Sequence, residues 1–353
     1  MIPIVCFVII MRIIDLRSDT KTLPTEEMLD AIKHAKFGDE QAGEDPTVNK
    51  LQDLAAKKLG KESALLVTSG TQGNLVSLLS QTKPGDEVIL GMTCHTYNHE
   101  AGGLTRIAGL IPRPLTEIYG ALNPEDIEKV IMKKTEHTAG TSIVCIENTH
   151  NTAGGTIVTP SQIDAIAEVT HRHGLKLHCD GARIFNAAVA MNMDVKNFTK
   201  KLDSISFSLS KGLSCPVGAV ICGSEEFIKE AWNWKQILGG GMRQAGVIAA
   251  PGIVALEKMI DRLKEDNANA RLLGEGLAKI DGISIDLKTV QTNIVRFNLG
   301  SLGISEEEFV DGLAKHGILC GGHAGAIRMV THRHITRDDV KYGLETIKKE
   351  FKR

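Results

Sequence analysis

Apolar residues recur along this chain in two alternating rhythms. Ala64-Leu65-Leu66-Val67 and Ile143-Val144-Cys145-Ile146 are short continuous apolar runs, the pattern of strands buried on both faces. Elsewhere the spacing widens to three and four. Leu51, Leu54, Ala55 and Leu59 predict a helix, with Asp45 as its N-cap, Pro46 at its first position and Gly60 at its end. Residues 75–79 continue a second helix after the turn Thr68-Ser69-Gly70-Thr71-Gln72-Gly73-Asn74. Further strands are predicted over 87–90, 142–146, 175–180 and 203–207, with a helix over 161–173. Strands alternating with helices predict a mostly parallel sheet covered on both faces. A ligand in such a sheet sits beyond the carboxyl ends of the strands.

From about Ala255 the texture changes. Leu256, Met259, Ile260 and Leu263 begin an amphipathic helix predicted to run to about Lys279, a plausible hinge. Shorter strands are predicted around 283–287, 293–298 and 326–330, with helices over 306–315 and 338–351. The expected class is α/β, with a large sheet domain over residues 12–255 and a small α+β domain over 256–353. Residues 1–11 are almost wholly apolar. That is short of the roughly 20 residues a membrane span needs, and no basic segment or cleavage site accompanies it. They are expected to be an extension ahead of a natural start at Met11.

Composition narrows the class further. A chain of 353 residues is long for one core, which favours two domains. A formal net charge of −2 offers no basic footprint for nucleic acid. The seven cysteines are scattered singly, with no CxxC spacing. Neither a disulfide framework nor a metal site is expected, and a reducing cytoplasm is the expected location.

Candidate chemistry starts at Lys211. It lies in Ser208-Leu209-Ser210-Lys211-Gly212, directly after a predicted strand. A lysine among small residues at a strand end can form a Schiff base with an aldehyde. Asp180 ends another predicted strand. Lysine and aspartate at neighbouring strand ends fit pyridoxal 5′-phosphate (PLP), with the lysine on the aldehyde and the aspartate on the ring nitrogen. Each residue also has a plainer reading: most lysines are solvated, and Asp180 suits the cap of a helix starting at Ala182.

Other positions fill out the set. Gly70 and Thr71 open a helix, where backbone N–H groups can cradle a phosphate, or form a plain turn. His95 follows a strand and can stack on a ring or move a proton. Arg183 can bind a carboxylate or the cofactor's phenolic oxygen, or serve as a structural ion-pair partner. Arg243, after three glycines, can meet a phosphate, and Arg328 a carboxylate. His99, His137 and His150 are weaker candidates.

The ordered blocks carry a resemblance. Asp15-Leu16-Arg17-Ser18-Asp19-Thr20-Lys21-Thr22, Gly43-Glu44-Asp45-Pro46-Thr47, Ser69 to Asn74, Glu147-Asn148-Thr149-His150-Asn151, Asp180-Gly181-Ala182-Arg183, Leu209 to Gly212 and Gly239 to Gly246 resemble the low-specificity L-threonine aldolase family, from about residue 12 onward. The resemblance implies a PLP enzyme of the aspartate-aminotransferase fold (fold type I), assembled as a tetramer of two dimers with shared sites. It implies Lys211 as the Schiff-base lysine and Asp180 on the pyridine nitrogen. It implies Gly70 and Thr71 on the phosphate, with Arg243 reaching a neighbouring subunit's phosphate. His95 would stack on the ring and face the β-hydroxyl, which His137 also approaches. Ser18, Arg183 and Arg328 would hold the substrate carboxylate. The implied reaction is retro-aldol cleavage of a β-hydroxy-α-amino acid, L-threonine or L-allo-threonine, to glycine and acetaldehyde. The alternative is a β-eliminating lyase or aminotransferase using the same Asp and Lys. A non-catalytic PLP-binding regulator is disfavoured, because no DNA-binding pattern precedes residue 12. Neither nucleic acid nor membrane is an expected partner.

Overall fold

The computed structural model describes residues 12–351 apart from Ala324. The expected extension over residues 1–11 lies outside the described residues. In chain order the strands are β1 (Ile14–Asp15), β2 (Ser63–Val67), β3 (Glu87–Gly91), β4 (Ile111–Leu115), β5 (Thr141–Glu147) and β6 (Lys176–Asp180). There follow β7 (Ser204–Ser208), β8 (Ala219–Gly223), β9 (Ile294–Phe297), β10 (Ile318–Leu319), β11 (Gly321–His323) and β12 (Ala326–Val330).

Seven strands form the central sheet in the order β2-β8-β7-β6-β5-β3-β4. All run parallel except β8, which is antiparallel to both of its neighbours. Residues of β3, β5, β6 and β7 are buried almost throughout because helices cover both faces. The register sets Glu147 of β5 beside Asp180 of β6, and Asp180 beside Ser206 of β7. Three polar side chains therefore meet at the carboxyl edge, where a parallel sheet receives its ligand.

The helix Pro46–Leu59 begins and ends as its sequence predicts: the Asp45 carboxylate accepts the N–H groups of Thr47 and Val48, and Gly60 adopts the left-handed conformation at its end. The predicted long helix after Ala255 is broken. A π-helical turn, Ala255–Met259, precedes the helix Leu263–Leu277. The break falls where the segment changes partners: Leu256, Met259 and Leu263 pack in the core of the large sheet, whereas Ala270, Leu273 and Leu277 pack in a second core. A wider turn re-aims the apolar stripe between them. The strand predicted over 283–287 is reduced to one bridge, Ser284 with Asn298, before a 3-10 turn capped by Asp286.

The second core also corrects the expected boundary at residue 12. β1 pairs in parallel with β10, and Ile14 and Leu16 are buried among C-terminal residues such as Phe297 and Ile318. The described residues thus begin in the small core and cross to the large one after Leu16. Among the described residues no helix is long and apolar enough to cross a membrane, and the six described cysteines are free and buried.

Leu16 is 2% exposed. Leu16→Ala is expected to lower stability by about 3 kcal/mol in chemical denaturation, by loss of buried area and creation of a cavity. A loss below about 1 kcal/mol would mean that the N-terminal segment is not part of this core.

Candidate active site

Lys211 lies in the loop between β7 and β8, its carbonyl accepting the Thr22 hydroxyl at 2.8 Å. Its ammonium has no hydrogen-bond or ion-pair partner among the described residues. Burial first, then the charge of Arg183, hold its pKa below the ordinary lysine value, against the pull of Asp180, Asp19 and Glu147. An unpartnered amine with a depressed pKa has the nucleophilic form that imine formation requires.

Asp180 stands on the neighbouring strand. Its Oδ1 accepts the Ala182 N–H at 3.1 Å, which is the capping contact its sequence also suggested. Its Oδ2 accepts from Asn74 Nδ2 at 2.9 Å. The same amide nitrogen donates to Glu100 Oε1 at 2.7 Å. On the other side, Asn74 Oδ1 accepts the Ser206 hydroxyl at 2.5 Å and lies 3.2 Å from His178 Nε2. His178 Nδ1 lies 2.8 Å from the Ser204 hydroxyl, which accepts from Gln81 Nε2 at 2.7 Å. Burial pushes His178 down to about 4, so it is neutral, with its proton on Nε2 directed at Asn74. A continuous donor–acceptor chain therefore backs Asp180.

The helix Gly70–Leu79 follows β2 at the same sheet edge. Ser69 Oγ accepts the Gln72 N–H, and the N–H groups of Gly70 and Thr71 have no acceptor within the helix. A Cβ placed on Gly70 would meet nothing within 4 Å, so the N-terminus opens onto free space. A Cβ on Gly240 would fall 2.2 Å from Gln72 Nε2. The triple-glycine loop therefore lies directly on this helix's first turn. The loop is clamped by a buried pair, Lys235 with Glu40, whose other oxygen accepts the Met242 N–H at 3.0 Å. Arg243 itself points outward and pairs with Asp39 at 2.9 Å.

Arg183 has a partner that the sequence reading missed. Its Nε and Nη2 donate to Asp19 at 2.7 and 2.8 Å, both residues being buried. Burial works against the Asp19 charge, yet Arg183 and a bond from Asn293 hold its carboxyl far below the usual range. Much of the Arg183 fork is thus committed within the protein. Arg328 donates to Asn151 Oδ1 at 2.9 Å and to the Arg17 carbonyl at 3.0 Å. Ser18 caps the turn Asp19–Lys21, its Oγ accepting from the Thr20 N–H at 3.2 Å. The segment that starts in the small core therefore carries Ser18 and Asp19 to the edge of the large sheet.

His95 N–H donates to Glu147 Oε2 at 2.7 Å, and its Nδ1 lies 3.0 Å from Glu100 Oε1. Burial opposes protonation of His95, but the Glu100 bond and the charges of Asp180, Glu100 and Glu147 outweigh it and raise its pKa. Glu147 Oε1 also accepts the Asn151 N–H at 2.8 Å. His150 is fully buried between Glu117 at 2.6 Å and Glu147 at 3.6 Å. Although burial disfavours its charge, these carboxylates lift it to about 9.

The structure does not bring His137 to this cluster. It is exposed in the loop entering β5 from the amino end. Seven residues of β5 separate the two ends of the sheet, about 20 Å. Sequence reading also passed over Asn74, Glu100, Asp19 and Glu117. Asn74 alone left a signal, a polar residue on the face of a helix that packs against the sheet.

The amine, the carboxylate and the open helix N-terminus fit the aldehyde, ring nitrogen and phosphate of PLP as a donor set. A beta-eliminating lyase family model matches residues 15–299. A low-specificity L-threonine aldolase of Arabidopsis thaliana is 42% identical over 95% of both chains. The chain belongs to this family. The low-specificity L-threonine aldolase of Escherichia coli K12 is 40% identical, covering 93% of this chain and 96% of its own. A threonine aldolase of Leishmania major shares the fold with a TM-score of 0.82, 20% identity and coverage of 96% and 99%. Within this family framework, the lysine loop, the aspartate strand and the glycine loop fall on one edge of one sheet.

The His150 pKa gives a stability prediction. Its folded value of about 9 lies above the ordinary 6.5, so its contribution is complete below about pH 6.5 and is lost as pH rises through 9. In denaturation measured at pH 6.5 and 9.5, wild type is expected to lose up to about 3 kcal/mol relative to His150→Gln. Parallel pH profiles would show that His150 is not held as a cation.

Proposed function

We propose that the protein is a PLP-dependent aldehyde-lyase that cleaves L-threonine and L-allo-threonine to glycine and acetaldehyde. The single observation that carries this reading is the Lys211 amine, without a hydrogen-bond or ion-pair partner among the described residues, beside the charge of Asp180 on the neighbouring strand. Bound PLP supplies an electron sink for the pair released when a bond to the substrate's Cα breaks.

The protein's own residues decide which bond that is. Lys211 would hold the cofactor's aldehyde carbon through Nζ. Asp180, fixed by Asn74 and Ala182, keeps a pyridine nitrogen protonated. The N–H groups of Gly70 and Thr71 would bind the phosphate. Ser18, Arg183 and Arg328 gather around the substrate carboxylate, with Asp19 orienting the Arg183 fork. Anchoring that carboxylate selects the Cα–Cβ bond rather than the Cα–H bond for cleavage, because it fixes the rotation about the bond to the substrate nitrogen. His95 Nε2 takes the β-hydroxyl proton, since Nδ1 is engaged by Glu100.

The working unit is a homotetramer, a dimer of dimers with sites shared between subunits. Leu23, Phe37, Met92 and Ile237 are large apolar side chains left exposed by one chain, and the exposed Arg243 is placed to meet a second one's phosphate. Unpaired buried cysteines support a reducing, cytoplasmic setting.

Incubated with L-threonine, the holoenzyme is expected to release acetaldehyde and glycine in equal amounts, and Lys211→Ala to release neither. Ammonia or a keto acid as the product would favour the β-eliminating or aminotransferase reading instead.

A further inference from the structure

Glu100 is buried and faces two partners at once. Its Oε1 accepts from Asn74 Nδ2 at 2.7 Å and lies 3.0 Å from His95 Nδ1. The amide nitrogen that bonds Glu100 also bonds Asp180 at 2.9 Å. A contact at 3.0 Å between a ring nitrogen and a carboxylate oxygen requires a proton between them. Burial and the charge of Asp180 raise Glu100 above the ordinary glutamate value, and His95 is raised as well. Both shifts keep a proton at this contact, and the imidazole nitrogen is the more basic holder.

We propose that Glu100 is a positioning residue that keeps the His95 proton on Nδ1, so that Nε2 offers its lone pair to the substrate's β-hydroxyl, and that Asn74 ties this pair to Asp180. The proposal rests on the reading of His95 as the base. The geometry supports it from each side. The Glu147 carboxylate fixes the His95 backbone through its N–H at 2.7 Å. The His95 side chain remains 31% exposed, so the contact with Glu100 does not seal the ring from solvent. His99 packs its ring at 5.6 Å between centroids.

The titratable groups facing His95 are Glu100 and His99 from its own segment, Glu147 from β5 and Asp180 from β6. Glu100 supplies the only side-chain hydrogen bond to the ring among the described residues. In the proton transfer, the substrate O–H bond breaks with its pair remaining on oxygen, and an N–H bond forms at Nε2. The resulting imidazolium is stabilised by the ionised Glu100 at its other nitrogen. Nε2 then returns the proton to the product's Cα, so no net proton is taken up. An asparagine donating to both Glu100 and Asp180 couples the base to the group on the cofactor nitrogen. Moving either carboxylate strains the other's bond.

The test uses the holoenzyme with 15N-labelled histidine, the His95 signal being assigned by its absence in His95→Phe. Wild type is expected to show neutral His95 with Nδ1 protonated. Glu100→Gln is expected to lower the His95 pKa by about one unit, and kcat on L-threonine by roughly 10- to 100-fold with KM within about twofold. A wild-type Nε2–H tautomer overturns the proposal whether or not the variant folds. So does an unchanged pKa in Glu100→Gln. Nδ1 protonation in a protein that fails to cleave threonine would uphold the positioning by Glu100 and reject the aldolase reading separately.

Discussion

The site depends on one buried amide holding two carboxylates. Asn74 donates both hydrogens, to Asp180 and Glu100, and accepts two bonds at its oxygen, from Ser206 and His178. That is the full capacity of an asparagine side chain, and it leaves one orientation. Two acids buried this close repel each other, and an unsatisfied buried polar group costs about 1–3 kcal/mol. Asn74 relieves both with neutral donors. Neutral His178 and the serines of β7 fix the amide from behind, so the carboxylates stay placed before any ligand arrives.

The second constraint is the meeting of two cores. β1 lies in the small core, and the residues after it deliver Asp19 to Arg183 at the rim of the large sheet. Asn293, from the small core's side, donates to Asp19 and to the Thr331 carbonyl. A buried pair like this is costly to break, because removal of one partner strands the other's charge. The segment after β1 is therefore joined to the sheet edge that carries Asp180 and Arg183 by an ion pair rather than by loop contacts alone.

Much of this was legible in the residues. Apolar runs and caps located most strands and the helix Pro46–Leu59 within a residue or two, because burial on both faces writes a continuous pattern. Lys211 and Asp180 stood out as polar residues at strand ends, and the glycines at 70 and 239–241 as places of close backbone approach. Pairings distant in sequence were not legible. Nothing local links Asp19 to Arg183 or Asn74 to Glu100, since those contacts exist only once sheet register and helix packing are set. The break after Ala255 was hidden for a related reason. Helical periodicity runs through it unchanged, while the surface that the stripe covers switches from one core to the other. His137, a weaker candidate that the resemblance placed near the β-hydroxyl, lies in a loop that enters β5 from the far end of the sheet.

The most direct measurement of this arrangement is the protonation of the cofactor nitrogen opposite Asp180. Reconstituted with PLP labelled with 15N in the ring, the protein should show a protonated pyridine nitrogen at neutral pH, because the bonds from Asn74 and Ala182 hold the Asp180 side chain in place to face it. An unprotonated nitrogen at neutral pH would contradict the account at its centre.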